Sequence, residues 1–173
     1  MAVDANLQLN DVDIKAVGDL IEAVRADPEN ALTSWAAHVT WNGGFSSSSR
    51  VREFAPAPSD EPAALGGGDS APNPVEQLLA ALGNCLAVGY AANATIAGIQ
   101  IKSLQVDLRG DLDLHVFLGL KAGHAGFESV TATVRIDTDA SRAQLEELHT
   151  SVVASSPVGH TLSSAVPLDI VLA

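Results

Sequence analysis

Cys85 is the only cysteine in the chain, and its thiol is the one side chain here with intrinsic nucleophilic and redox chemistry. Two readings stand open for it. A free cysteine is most often a small buried hydrophobe. As a nucleophile it would react as the thiolate, which a cation, a hydrogen-bond donor or a helix N-terminus must favour. Cys85 falls about three turns into a long apolar segment that opens at Asn73, too deep for the helix dipole to help. Activation would therefore come from elsewhere in the fold or from a partner subunit.

Glu76 lies at the start of the same segment. Nine residues at about 100° each place Glu76 and Cys85 about 180° apart around a straight helix. They would not share a face, and a capping or dipole role accounts for the carboxylate by itself. The histidines at 38, 115, 124, 149 and 160 show no His-x-x-x-His spacing, so neither a metal nor another cofactor is expected. His160 follows Ser156 by four residues and stands out for the Ser-Pro segment that holds it; an exposed or capping histidine is the alternative. No phosphate loop, dinucleotide fingerprint or nucleophile elbow occurs.

The elements that must position these groups can be read from pattern. Apolar residues from Val12 to Val24 recur at helical spacing and stop at Asp27-Pro28, which predicts an amphipathic helix over 11–26. Asn42-Gly43 in a turn-rich stretch predicts a hairpin over about 33–55. Residues 55–72, rich in proline and glycine, read as an exposed loop that could cover a site or a subunit boundary. Asn73-Pro74-Val75-Glu76 supplies an N-cap, a proline at the first helical position and an acidic first turn. The run after it is apolar nearly all round until Gly98, which predicts a long helix buried on every face. Small residues at 80, 81, 83, 87, 89, 91 and 92 would admit close neighbours. Alternating strands are expected over 99–112 and 129–137, with 114–120 either extending the first or connecting the two. A helix from Ser141 to about Ala154, a short helical turn after Ser156-Pro157 and a closing strand over 167–172 complete the chain. This is an α+β pattern.

Composition narrows the function classes. Apolar residues make up 47% of the 173, enough for a core in one domain of ordinary size. Against 9 lysines and arginines stand 21 acidic residues, a formal net charge of −12. That field repels phosphate backbones and anionic lipid, so neither nucleic acid nor membrane is an expected partner. A lone cysteine gives no disulfide framework, and the first residues lack the basic-then-apolar order of a secretory signal. The longest apolar run is interrupted by Glu76, Gln77, Asn84 and Asn93. A cytoplasmic location, with the thiol kept reduced, is the expectation.

The run from Asn73 through Leu78-Leu79-Ala80-Ala81-Leu82-Gly83-Asn84-Cys85, with Ser156-Pro157-Val158 far downstream, resembles the OsmC/Ohr family. The similarity spans about Trp35 to the C-terminus, which makes residues 1–32 a helical extension and 33–173 the OsmC-like domain. The resemblance implies an intertwined homodimer in which two central helices pack between shared sheets. It also implies reduction of organic hydroperoxides in the oxidative-stress response. There a peroxidatic cysteine becomes a sulfenic acid, a second cysteine resolves it, and a dithiol restores the enzyme. Cys85 matches the peroxidatic position. Ser156 holds the resolving cysteine's place, so this chain resembles a subgroup without one and would need an external thiol reductant. Val75 stands where the family carries its glutamate, with Glu76 one place later. Phe45 stands where the family carries its arginine, with Arg50 and Arg52 as the nearest substitutes.

The resemblance implies one of two functions. In the first, the protein is a single-cysteine, peroxiredoxin-like hydroperoxide reductase with Cys85, Glu76, Arg50 and Arg52 as catalytic residues and Phe45, Val75, Ser156 and His160 lining the substrate pocket. In the second, it is a non-catalytic dimer of the same fold that binds a small apolar ligand.

Overall fold

The structure is a computed structural model that describes residues 9–172. Among these residues five α-helices and five strands follow one another, and the chain divides into two compact units. One is Gly18–Ala80; the other joins the chain up to Val17 with everything from Ala81 onward. Helix α1 (Ile14–Ala26) occupies the predicted amphipathic stretch, with Ile14 buried.

In the Gly18–Ala80 unit, strands β1 (His38–Gly43), β2 (Ser46–Arg50) and β3 (Ala57–Ser59) form an antiparallel sheet in chain order. The hairpin turn puts positive φ on Gly43 (105°) and Gly44 (58°), where a side chain would be strained. The Trp41 indole donates to the Gly44 carbonyl at 2.9 Å, which closes the turn. The segment expected as a plain exposed loop is more ordered than its composition suggests. It contributes β3 to the sheet, and Asp60, only 4% exposed, organises the backbone from Glu61 to Ser70. One Asp60 oxygen accepts from the Ser70 hydroxyl (2.8 Å) and the Gly68 and Ser70 amides; the other accepts from the Glu61 amide. The Ser70 hydroxyl above all, with those amides, holds the Asp60 carboxyl below its ordinary pKa, against the opposing effect of burial.

Helix α2 (Pro74–Ile96) starts and stops where its signals stand. The Asn73 side chain accepts from the Glu76 amide at 2.9 Å, and the Glu76 carboxylate accepts from the Asn73 amide at 2.9 Å, a reciprocal capping box. At the other end Gly98 turns left-handed (φ 71°) and the Ile99 amide reaches back to the Ala94 carbonyl at 2.8 Å. Strands β4 (Ile101–Leu112) and β5 (Phe127–Thr138) make one long antiparallel hairpin with Leu104 opposite Ile136 and Val106 opposite Val134. The connection is a short helix, α3 (Leu114–Phe117), capped by the Asp113 carboxylate on the His115 amide.

The core of the larger unit is the α2 stripe Leu82, Leu86, Tyr90 and Ala94, closed by Ile99 and by Leu148 and Val152 of α4 (Arg142–Ser155). The half-buried alternate residues of β4 and β5 pack against it. Small residues admit this approach: a Cβ on Gly83 would lie 3.0 Å from the Leu108 side chain, and one on Gly89 3.0 Å from Val152. The N-terminal segment is tied to the α2–β4 corner by Asn10. Its amide nitrogen donates to Thr95 Oγ1 and the Ile99 carbonyl, and its oxygen accepts from the Ile101 amide and Gln100.

Two expectations are corrected. Helix α2 is not buried on every face within one chain: Val88 is 69% exposed, and Val75, Leu78 and Ile96 are exposed too. Its length and apolarity would suffice to cross a membrane by composition alone, yet one stripe is packed against β4, β5 and α4 as in a core helix. Residues 165–172 come after helix α5 (Pro157–Ser163) without becoming a strand. Among the described residues no strand edge pairs with them, and alternating apolar residues do not form a strand without one.

Candidate functional site: the Cys85–Ser156 pair

Cys85 occupies the half-buried flank of α2 between the core residues Leu82 and Leu86. Its sulfur lies 3.3 Å from Ser156 Oγ, across 71 residues of sequence. Ser156 is 5% exposed and stands where α4 ends and α5 begins. Pro157 stops one helix and suits the first position of the next, so the turn is dictated locally. Ser156 Oγ caps α5 by accepting from the Gly159 amide at 3.1 Å. A hydroxyl has one proton and two acceptor sites. With the cap using one acceptor site, the Ser156 hydroxyl keeps its proton and a second acceptor site, so either the hydroxyl or the Cys85 thiol can donate across this contact. Gly159 makes room for it: a Cβ there would lie 2.9 Å from Ser156 Oγ.

The other residues expected at the site have contacts of their own. In the larger unit, His160 is exposed and its Nε2 lies 3.0 Å from the Ala154 carbonyl oxygen, to which it donates. In the Gly18–Ala80 unit, the Glu76 carboxylate is engaged in the α2 capping box. Arg50 ends β2 opposite His38, and the Arg52 guanidinium sits 4.6 Å over the Phe54 ring. Phe45 is in the hairpin turn, its ring close over Gly66, and Val75 is exposed in the first turn of α2. Among the described residues no ion pair links Glu76 to either arginine. No three His, Cys, Asp or Glu side chains among them converge as metal ligands.

One pairing has no signal in the sequence. Tyr90, the chain's only tyrosine, is 3% exposed, and its hydroxyl makes a short hydrogen bond to His149 Nδ1 on α4. Burial raises the Tyr90 pKa, so the phenol keeps its proton.

The architecture is thus α+β: a long helix, two small antiparallel sheets, and a thiol held against a buried helix-capping serine. The family of OsmC-like proteins matches residues 66–171, more than half of the chain, and the protein belongs to that family. Solved structures share the fold. An OsmC-like protein from Mycoplasma pneumoniae superimposes with a TM-score of 0.66 at 18% identity, covering 76% of this chain and 88% of its own. An organic hydroperoxide resistance protein from Legionella pneumophila gives 0.59 at 17% identity, covering 76% and 90%. One from Elizabethkingia anophelis gives 0.55 at 16%, covering 75% and 87%. No curated protein matches the sequence significantly.

Proposed function

We propose that this protein reduces organic hydroperoxides through Cys85 alone. The observation that carries the reading is the 3.3 Å contact between the sulfur and Ser156 Oγ. The Gly159 cap uses an acceptor site of Ser156 Oγ and not its proton. Once Cys85 ionises the hydroxyl can therefore donate to the sulfur, and such a donor favours the nucleophilic thiolate. Family membership supports the reading, as do the names of the Legionella and Elizabethkingia structures.

In this reaction the Cys85 thiolate attacks the terminal oxygen of ROOH. The S–O bond forms as the O–O bond breaks, sulfur is oxidised to the sulfenic acid, and the alkoxide takes a proton to leave as ROH. Ser156 has no thiol with which to resolve the sulfenic acid. An external thiol therefore condenses with it, releasing water, and a second thiol displaces the mixed disulfide to restore Cys85. On the family resemblance, Arg50, Arg52 and Glu76 are further proposed catalytic residues, and Phe45, Val75 and His160 are proposed substrate-contacting residues. The working form is a cytoplasmic homodimer, which would cover the exposed face of α2 around Val88.

Consumption of cumene hydroperoxide with a dithiol, wild type against Cys85→Ser, is the test. The expected outcome is loss of turnover in the variant and a sulfenic adduct on Cys85 by mass spectrometry after one equivalent of peroxide. Equal rates would sink the proposal and select the non-catalytic ligand-binding dimer, which the engagement of Glu76 in its helix cap favours.

A further inference from the structure

The larger unit contains a cavity of about 370 Å³ that includes neither Cys85 nor Ser156. Its apolar wall is formed by Ala132, Val134 and Ile136, three alternate residues of β5, together with Leu145 of α4. Its volume lies within the range of about 300–1,000 Å³ typical of small-ligand sites.

The polar groups of the cavity are Tyr90, Arg142, Glu146, His149 and Thr150. Tyr90 is buried with its hydroxyl against His149 Nδ1, the only partner it has among the described residues. In the tautomer in which the phenol donates to Nδ1, the imidazole proton sits on Nε2, which has no other partner among the described residues. Arg142 is engaged by Glu146 at 2.7 Å through Nε. That leaves both terminal guanidinium nitrogens for another acceptor, the edge that grips a carboxylate in a bidentate manner. The Thr150 hydroxyl is already given to the Glu146 carbonyl at 2.8 Å.

We propose that this cavity binds a small carboxylic acid with an apolar body, the ring or short chain lying on Ala132, Val134, Ile136 and Leu145 and the carboxylate meeting Arg142 and the His149 Nε2–H. Glu146 holds the guanidinium at the mouth, and its own charge is already compensated by Arg142. The site is independent of thiol chemistry.

Titration of the full chain with benzoate, followed by methyl NMR, tests this. Saturable shifts are expected at the Ala132, Val134, Ile136 and Leu145 methyls, with a Kd at or below about 1 mM. Arg142→Gln should weaken binding about tenfold through loss of the charge-assisted contact. Ala132→Phe should abolish it by filling the cavity, and Cys85→Ser should leave it unchanged. Because the Arg142 side chain is exposed, its variant remains informative if the filled cavity fails to fold. Absence of saturation, equal binding of benzyl alcohol, or benzoate binding indifferent to Arg142→Gln overturns the proposal. Peroxidase activity has no bearing on any of these outcomes.

Discussion

At the residue scale, the Cys85–Ser156 pair sets the chemistry that substitution can alter. Ser156→Cys would put a second thiol where Oγ now stands 3.3 Å from the sulfur. Peroxide should then produce an intramolecular disulfide in place of a persistent sulfenic acid, seen as loss of both free thiols by alkylation and mass spectrometry. A persistent sulfenic acid in that variant would mean the two sulfurs cannot reach bonding geometry. Asp60 gives a second residue-scale prediction. Its carboxyl is held below the ordinary range by the Ser70 hydroxyl and backbone donors, so the folded state binds the carboxylate form. Its stabilising contribution is complete above the unfolded pKa of about 3.9 and is lost as pH falls through the lower folded value. Asp60→Asn should therefore lower Tm at pH 7 and lose that effect progressively below about pH 4. An equal loss at pH 3 and pH 7 would show that ionisation is not the cause.

At the scale of elements, small residues on α2 decide how closely α4 and β4 approach. Val152 is 1% exposed, and a Cβ at Gly89 would come within 3.0 Å of it. Gly89→Ala gains about 1 kcal/mol of helix propensity but overpacks this contact, which costs about 1–3 kcal/mol. Gly89→Val is expected to be destabilising by the upper part of that range or more, read by urea unfolding. Val152→Ala alone should cost about 2 kcal/mol by leaving a cavity. In the double variant the added methyls occupy that cavity, so the two losses should be less than additive. Strict additivity would show that the helices do not meet there.

At the scale of the whole molecule, the Asn10 side chain carries most of the hydrogen bonds that anchor the N-terminal segment, beside the Thr95 hydroxyl donating to the Leu9 carbonyl and the buried Ile14. Asn10→Ala removes four hydrogen bonds at the α2–β4 corner. It leaves the Ile101 amide without its side-chain acceptor, a loss of about 1–3 kcal/mol. Limited proteolysis should then cut the N-terminal segment before the rest of the chain, and unchanged protection would show that other contacts hold it.

Local physics makes much of this legible in the sequence. The caps of α2 stand in Asn73, Pro74, Glu76 and Gly98 because helix ends are set by backbone groups within one turn. The alternation of β4 and β5 comes from a sheet with one face inward. The OsmC-like motif around Cys85 is readable because it is a contiguous run. Tertiary structure alone decided the rest. Ser156 meets Cys85 across 71 residues and Tyr90 meets His149 across 59, pairings that depend on where α4 crosses α2. The order of residues 55–72 depends on Asp60 collecting donors up to ten residues away. The apolar tail at 167–172 could not become a strand on its own alternation, because a strand is completed by the hydrogen bonds of a neighbour and not by its own sequence.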